Sequence, residues 1–234
     1  MRLRALLLIG TLTLTGCTAI EGLTPAPKPT GAVEEQQLSW TDCNDGFECA
    51  EIFAPLDWMA DTDEFVKIQL MRKSGTENLP PILVNPGGPG SASTKWLRDG
   101  YDSLGTSWLR ENYQVLAFDP RGVGRSQPTR CLTDKEEDKY IAADTAVLTK
   151  ADLNALLAAA KYFASACEKA AGAKIGHFGS LEAAKDMNLI RTLLKEPKLN
   201  YLGKSYGTFL GTLYAALYPT TVGKFVLDGA IDPN

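Results

Sequence analysis

The sequence predicts an α/β domain with a mostly parallel sheet flanked by helices. Three observations carry this. Residues 81–85 and 113–118 are short apolar runs bounded by turn residues, the form of buried strands, and residues 199–202 and 224–227 read as the next strands. Segments of strong helix formers separate them, and strands alternating with helices close a parallel sheet through right-handed crossovers. A glycine-rich stretch, Pro86-Gly87-Gly88-Pro89-Gly90, stops the first run, as a loop at the end of a central strand does. The 234 residues, 44% hydrophobic and 22% charged, suit one globular domain.

The chain opens on an export signal. Arg2 and Arg4 form a basic region, and an apolar run from Ala5 to Leu14 follows, too short for a bilayer span of ~20 residues. It ends in Leu14-Thr15-Gly16-Cys17, which resembles a bacterial lipobox. In such signals the cysteine is acylated, so residues 1–17 imply a membrane partner through a lipid anchor at Cys17. Residues 18–38 read as a tether, since Gly22, Pro25, Pro27, Pro29 and Gly31 disfavour regular structure. The folded domain is expected from residue 39 onward.

Export sets the reading of the remaining cysteines, Cys43, Cys49, Cys131 and Cys167, an even number for an oxidising compartment. Four cysteines allow three pairings. Cys43 and Cys49 lie close in a polar Asn/Asp/Gly segment that accommodates a small-loop disulfide, which leaves Cys131 with Cys167. The spacings lack the paired C-x-x-C form of a zinc site, and no metal or organic cofactor is expected. The net charge of −4, with Lys and Arg scattered, gives no footprint for nucleic acid.

Along the domain, residues 65–71 alternate apolar and polar, the pattern of a half-buried strand. A helix is expected over residues 93–109, another over 152–169, and a third over 181–194 with Pro197 just beyond. Residues 205–217 form the helix that follows the strand at 199–202. There is no internal repeat.

Three motifs carry chemistry. Gly203-Lys204-Ser205-Tyr206-Gly207 fits G-x-S-x-G between a strand and a helix, the context of a nucleophile elbow. So tight a turn needs neighbours without side chains, and it presents Ser205 at a helix N-terminus that favours a developing oxyanion. Asn85-Pro86-Gly87-Gly88-Pro89-Gly90, upstream, lets backbone N–H groups approach a reacting carbonyl; phosphate cradling fits less well, with no Lys-Ser or Lys-Thr pair after it. Asp119-Pro120-Arg121-Gly122-Val123-Gly124-Arg125-Ser126 contains D-x-R-G, and Asp119 and Arg121 read as turn-fixing residues.

In this order the motifs resemble those of the α/β-hydrolase family of exported prolyl and tripeptidyl aminopeptidases. Asn85 to Gly90 is similar to that family's H-G-G-P-G loop, with Pro86 in the histidine's place. Gly203 to Gly207 with Thr208 and Gly211 resembles its elbow, and Val226-Leu227-Asp228-Gly229 its next strand and turn. The resemblance implies release of short peptides or single residues from peptide N-termini. It implies Ser205 as nucleophile, with an oxyanion hole from the N–H of Tyr206 and of Gly87 or Gly88.

In that fold the triad runs Ser, acid, His along the chain. The single histidine, His177, precedes Ser205 and reads as a loop residue; Asp228 reads as a turn residue. Residues 39–234 are therefore expected to be the N-terminal part of the hydrolase domain. The triad acid, the histidine, the last strands and the cap would then lie elsewhere, and the chain alone would be nearly inert. Alternatives are an esterase or lipase-like hydrolase on the same scaffold, a non-catalytic lipid-anchored pseudoenzyme, and complementation by a second chain carrying the acid and histidine.

Overall fold

The computed structural model describes residue 29 and residues 31–232. The expected export signal with Cys17, and most of the expected tether, lie outside the described residues. Seven strands form one sheet: β1 (Thr41–Asp42), β2 (Phe47–Pro55), β3 (Phe65–Lys73), β4 (Pro81–Asn85), β5 (Gln114–Phe118), β6 (Leu199–Lys204) and β7 (Val222–Asp228). Their order is β1-β2-β3-β5-β4-β6-β7. β4 pairs in parallel with β5 and β6, and β6 with β7. The β1/β2, β2/β3 and β3/β5 pairs are antiparallel, so β2 and β4 through β7 all point one way.

The helices are α1 (Ser93–Gly100), α2 (Ser107–Asn112), α3 (Asp134–Ile141), α4 (Lys150–Ala171), α5 (Ser180–Leu193) and α6 (Tyr206–Leu217). Two apolar clusters lie on the two faces of the sheet. Ile82 and Val84 of β4 join Val115 and Ala117 of β5 in a cluster with Leu97 of α1. Leu83, Leu116 and Phe118 join Met187 and Ile190 of α5 and Leu210 and Tyr214 of α6. Burial on both faces is why these strands read as unbroken apolar runs.

Several expectations shift. The helix expected over residues 93–109 is two helices, separated by a 3-10 turn at Tyr101–Ser103 and by Gly105 at φ 62°. Thr106 caps the second by accepting the Leu109 N–H. β3 is buried on both faces despite its alternating pattern. Gln69 is 5% exposed because its side-chain amide donates to the Ala50 and Leu70 carbonyls. Residues before 39 also take part in the fold. Val33–Glu35 form a 3-10 turn, and the Gln36 side chain pairs with both main-chain groups of Phe53, as a strand would. Leu38 and Trp40 pack on the core behind it.

Between β5 and α5 the chain makes a helical excursion through α3 and α4. Thr133 and Glu136 form a capping box at α3, and Thr149 and Asp152 another at α4. The Glu136 carboxylate, held by Thr133 and by the Tyr162 hydroxyl, titrates at about 2. Tyr140 stacks on Phe163 between the helices. Leu153, Leu157 and Tyr162 of α4 remain exposed. No helix among the described residues is long and apolar enough to cross a membrane.

Both disulfides take the expected pairing, Cys43–Cys49 and Cys131–Cys167. The second joins residues 36 apart and closes the base of the excursion. Chain entropy assigns a loop of that length about 4 kcal/mol. Replacing Cys131 and Cys167 together by Ser should lower the unfolding free energy by about 2–4 kcal/mol in urea titration. The Cys43→Ser/Cys49→Ser pair, closing a shorter loop, should cost about half as much.

Candidate active site

The site is built where β4 and β6 end side by side. Ser205 sits between β6 and α6 with φ 51° and ψ −123°, a conformation that L-residues rarely adopt, and it is exposed. Its N–H donates to the Asp228 carbonyl (2.9 Å), and its own carbonyl accepts from the Thr208 N–H (2.8 Å) and hydroxyl (2.7 Å). These bonds hold the turn against the end of β7. Thr208 in turn accepts from the Ile231 N–H, which ties the segment after β7 to the same turn.

The glycines are there because nothing larger fits. A Cβ on Gly203 would lie 2.4 Å from the Gly207 carbonyl oxygen, and one on Gly207 would lie 2.6 Å from that of Asn85. Below them the buried Tyr201 phenol donates to the Gly207 carbonyl at 2.7 Å. Burial pushes this phenol's pKa upward, so it stays a donor.

The glycine loop packs directly on the elbow. Gly87 has φ 94°, and a Cβ there would meet the Lys204 carbonyl at 2.4 Å and the Tyr206 nitrogen at 2.8 Å. Asn85, 1% exposed, shapes the loop by accepting the Gly87 N–H (2.8 Å) and donating to the Ser93 hydroxyl (3.2 Å). Tyr206 opens α6, so its N–H is among the first-turn amides that have no intrahelical acceptor. The structure therefore brings Ser205, Tyr206, Gly87 and Gly88 together at one sheet end. Asn85's part in this was not evident from sequence.

Asp119 and Arg121 fix turns, but not as a pair. The Asp119 carboxylate accepts from the Thr94 N–H (2.9 Å) and hydroxyl (3.0 Å) and from the Arg125 N–H (3.0 Å). It anchors the start of α1, which follows the glycine loop. Arg121 is fully buried against Asp186 of α5 in a bidentate pair at 2.8 and 2.6 Å. Its remaining donors go to the carbonyls of Pro55, Leu56 and His177, and the Trp58 indole donates to Asp186. Burial pushes the Asp186 carboxyl upward, opposed by the Arg121 guanidinium and the Trp58 N–H. Neither Asp186 nor Trp58 carries a sequence signal, because the pairing spans 65 and 128 residues.

His177 serves this network through its main chain, at the end of the 3-10 turn Gly172–His177. The Asp228 side chain pairs with Lys204 at 3.2 Å, an exposed bridge across the ends of β6 and β7. Cys43, Cys49, Cys131 and Cys167 are all disulfide-bonded. Among the described residues no group of three His, Cys, Asp or Glu side chains is placed to bind an ion.

Two substitutions test this construction by urea denaturation. Gly87→Ala should destabilise by about 2–4 kcal/mol, since both backbone contact and positive φ oppose the methyl. Arg121→Leu should cost about 3–5 kcal/mol, because it leaves Asp186 buried without its partner.

Comparison with known proteins agrees with this geometry. The chain is 31% identical over 208 residues to the tripeptidyl aminopeptidase of Streptomyces lividans, covering 84% of this chain and 39% of that protein. It is 30% identical to the serine protease Hip1 of Mycobacterium tuberculosis, covering 85% and 40%. It is 32% identical to carboxylesterase B of the same organism, covering 97% and 46%. The chain thus spans under half the length of these relatives. Residues 80–234 match the alpha/beta hydrolase fold, and together with the elbow and the sheet topology this places the chain in the alpha/beta hydrolase family.

Proposed function

We propose that this chain carries the nucleophile half of a serine peptidase that releases short peptides or single residues from peptide N-termini. Ser205 attacks the scissile carbonyl. The N–H groups of Tyr206 and Gly88 receive the oxyanion; Gly87's N–H is engaged by Asn85, which leaves its neighbour for the task. The histidine that takes the Ser205 proton and the acid that orients it belong to polypeptide outside these 234 residues, on the same protein or a second chain. The chemistry needs no cofactor.

The observation that carries this reading is the conformation of Ser205, an exposed serine at positive φ on a strand-to-helix turn that glycines alone permit. The relatives named as tripeptidyl aminopeptidase and serine protease favour a peptide substrate. The relative named carboxylesterase B, matched over 97% of the chain, favours an ester as the second reading on the same machinery. The lipobox-like segment ending in Cys17 supports export and anchoring at the outer face of the cell membrane.

A fluorophosphonate probe applied to the native membrane fraction should label Ser205 and spare the Ser205→Ala variant. That variant should lose about 10⁴-fold or more in kcat on tripeptidyl anilides. Absence of label on the wild type overturns the nucleophile assignment, and hydrolysis of esters with no cleavage of tripeptidyl anilides selects the esterase reading. Cys17→Ser should move the protein from the membrane to the soluble fraction; retention in the membrane removes the anchor from the proposal.

A further inference from the structure

We infer that Ser180 is a positioning residue for the oxyanion site, acting through Tyr206. The inference rests on the reading of Ser205 as nucleophile. The Ser180 hydroxyl lies 2.5 Å from the Tyr206 hydroxyl, and both side chains are half-buried. Ser180 is the first residue of α5, and Tyr206 is the first of α6 and directly follows Ser205.

The Tyr206 main chain lies between the glycine loop and the elbow, with the Gly87 backbone packed against its nitrogen. Its side chain leaves that crowded point and ends on α5. A phenol held at its tip ties the first residue of α6 to the first of α5, and that tie restrains the Tyr206 main chain and its N–H. Released, the ring is free to turn about two side-chain torsions, with Phe209, whose ring centre is 6.0 Å away, as its nearby aromatic neighbour. The amide that receives charge would then lose its fixed aim, and aim is what gives preorganised donors their effect.

Ser180 is itself held in place. The carbonyl of His177, three residues before it, accepts from Arg121, and Asp186, six residues after it, binds the same guanidinium. The hydroxyl pair therefore extends the buried Arg121 network to the reacting centre. It gives the network a catalytic consequence that packing alone would not.

Two measurements test this on the whole protein. The first is hydrogen exchange at the Ser205 and Thr208 amides, whose bonds to the Asp228 and Ser205 carbonyls report opening of the elbow. A net hydrogen bond is worth up to about tenfold in such an equilibrium. Ser180→Ala and Tyr206→Phe should each speed exchange at these two amides by up to tenfold, with Val84 and Leu116 in the central strands unchanged. The second is phosphonylation of Ser205, which should slow by about tenfold in each variant with little change in probe affinity. The double variant should be no worse than either single one, and Ser180→Thr should restore the wild-type rate. Unchanged exchange at Ser205 and Thr208 in Ser180→Ala overturns the inference, as do additive effects in the double variant. If Ser205→Ala labels like the wild type, the nucleophile reading falls, and the exchange data still decide whether Ser180 holds the elbow.

Discussion

The fold around the site depends on one buried charge. Arg121 has no exposed side-chain surface, and all five of its N–H donors are used: two on Asp186 and three on main-chain carbonyls. A guanidinium removed from water at this depth is tolerable only when every donor finds an acceptor. The acceptors come from the end of β2, the segment beyond it, the turn ahead of α5, and α5 itself. Two stretches of chain distant in sequence, residues 55–56 and 177–186, are thus held by one planar group on the turn after β5. Its fixed fork suits this role better than the single-point charge of a lysine.

On that base, the reacting geometry is set by exclusion more than by attraction. The turn at Ser205, the loop at Gly87 and the start of α6 approach until backbone touches backbone. Three strands stop in register to make this possible, with Asn85 opposite Gly203 and Lys204 opposite Asp228. In the proposed reaction the helix start and the glycine loop, meeting so closely, would supply the amide groups beside the serine. Such groups need not reorient as charge develops, which is the basis of electrostatic preorganisation.

What was legible in the sequence was local. β4, β5 and β6 are largely buried and bounded by turn residues, so their presence could be read directly, and β7, the exposed edge strand, was legible from its short apolar run. The elbow and the glycine loop announce themselves by spacing, and the disulfide pairing followed from a short polar loop. β2 was not read, because Glu48, Glu51 and the small Ala50 and Ala54 dilute its pattern; its antiparallel pairing with β3 comes from tertiary structure. α3 was missed for the opposite reason. It is polar and short, and capping rather than amphipathicity defines it. The Arg121–Asp186 pair left no trace, since nothing local distinguishes an aspartate bound for the interior from one on the surface. Asp119 and Arg121, two positions apart in one motif, bond to different parts of the fold.

The excursion through α3 and α4 leaves and rejoins the domain at nearly one point. The Cα atoms of Cys131 and Cys167 are 4.4 Å apart although the two lie 36 positions apart in sequence. To the sheet, that stretch is an appendage on a closed ring: its length, helix content and surface can change without altering any strand's register or the seat of Ser205. The fold has at that position a socket for new surface, a place where the outside of the molecule can change while the seat of Ser205 stays fixed.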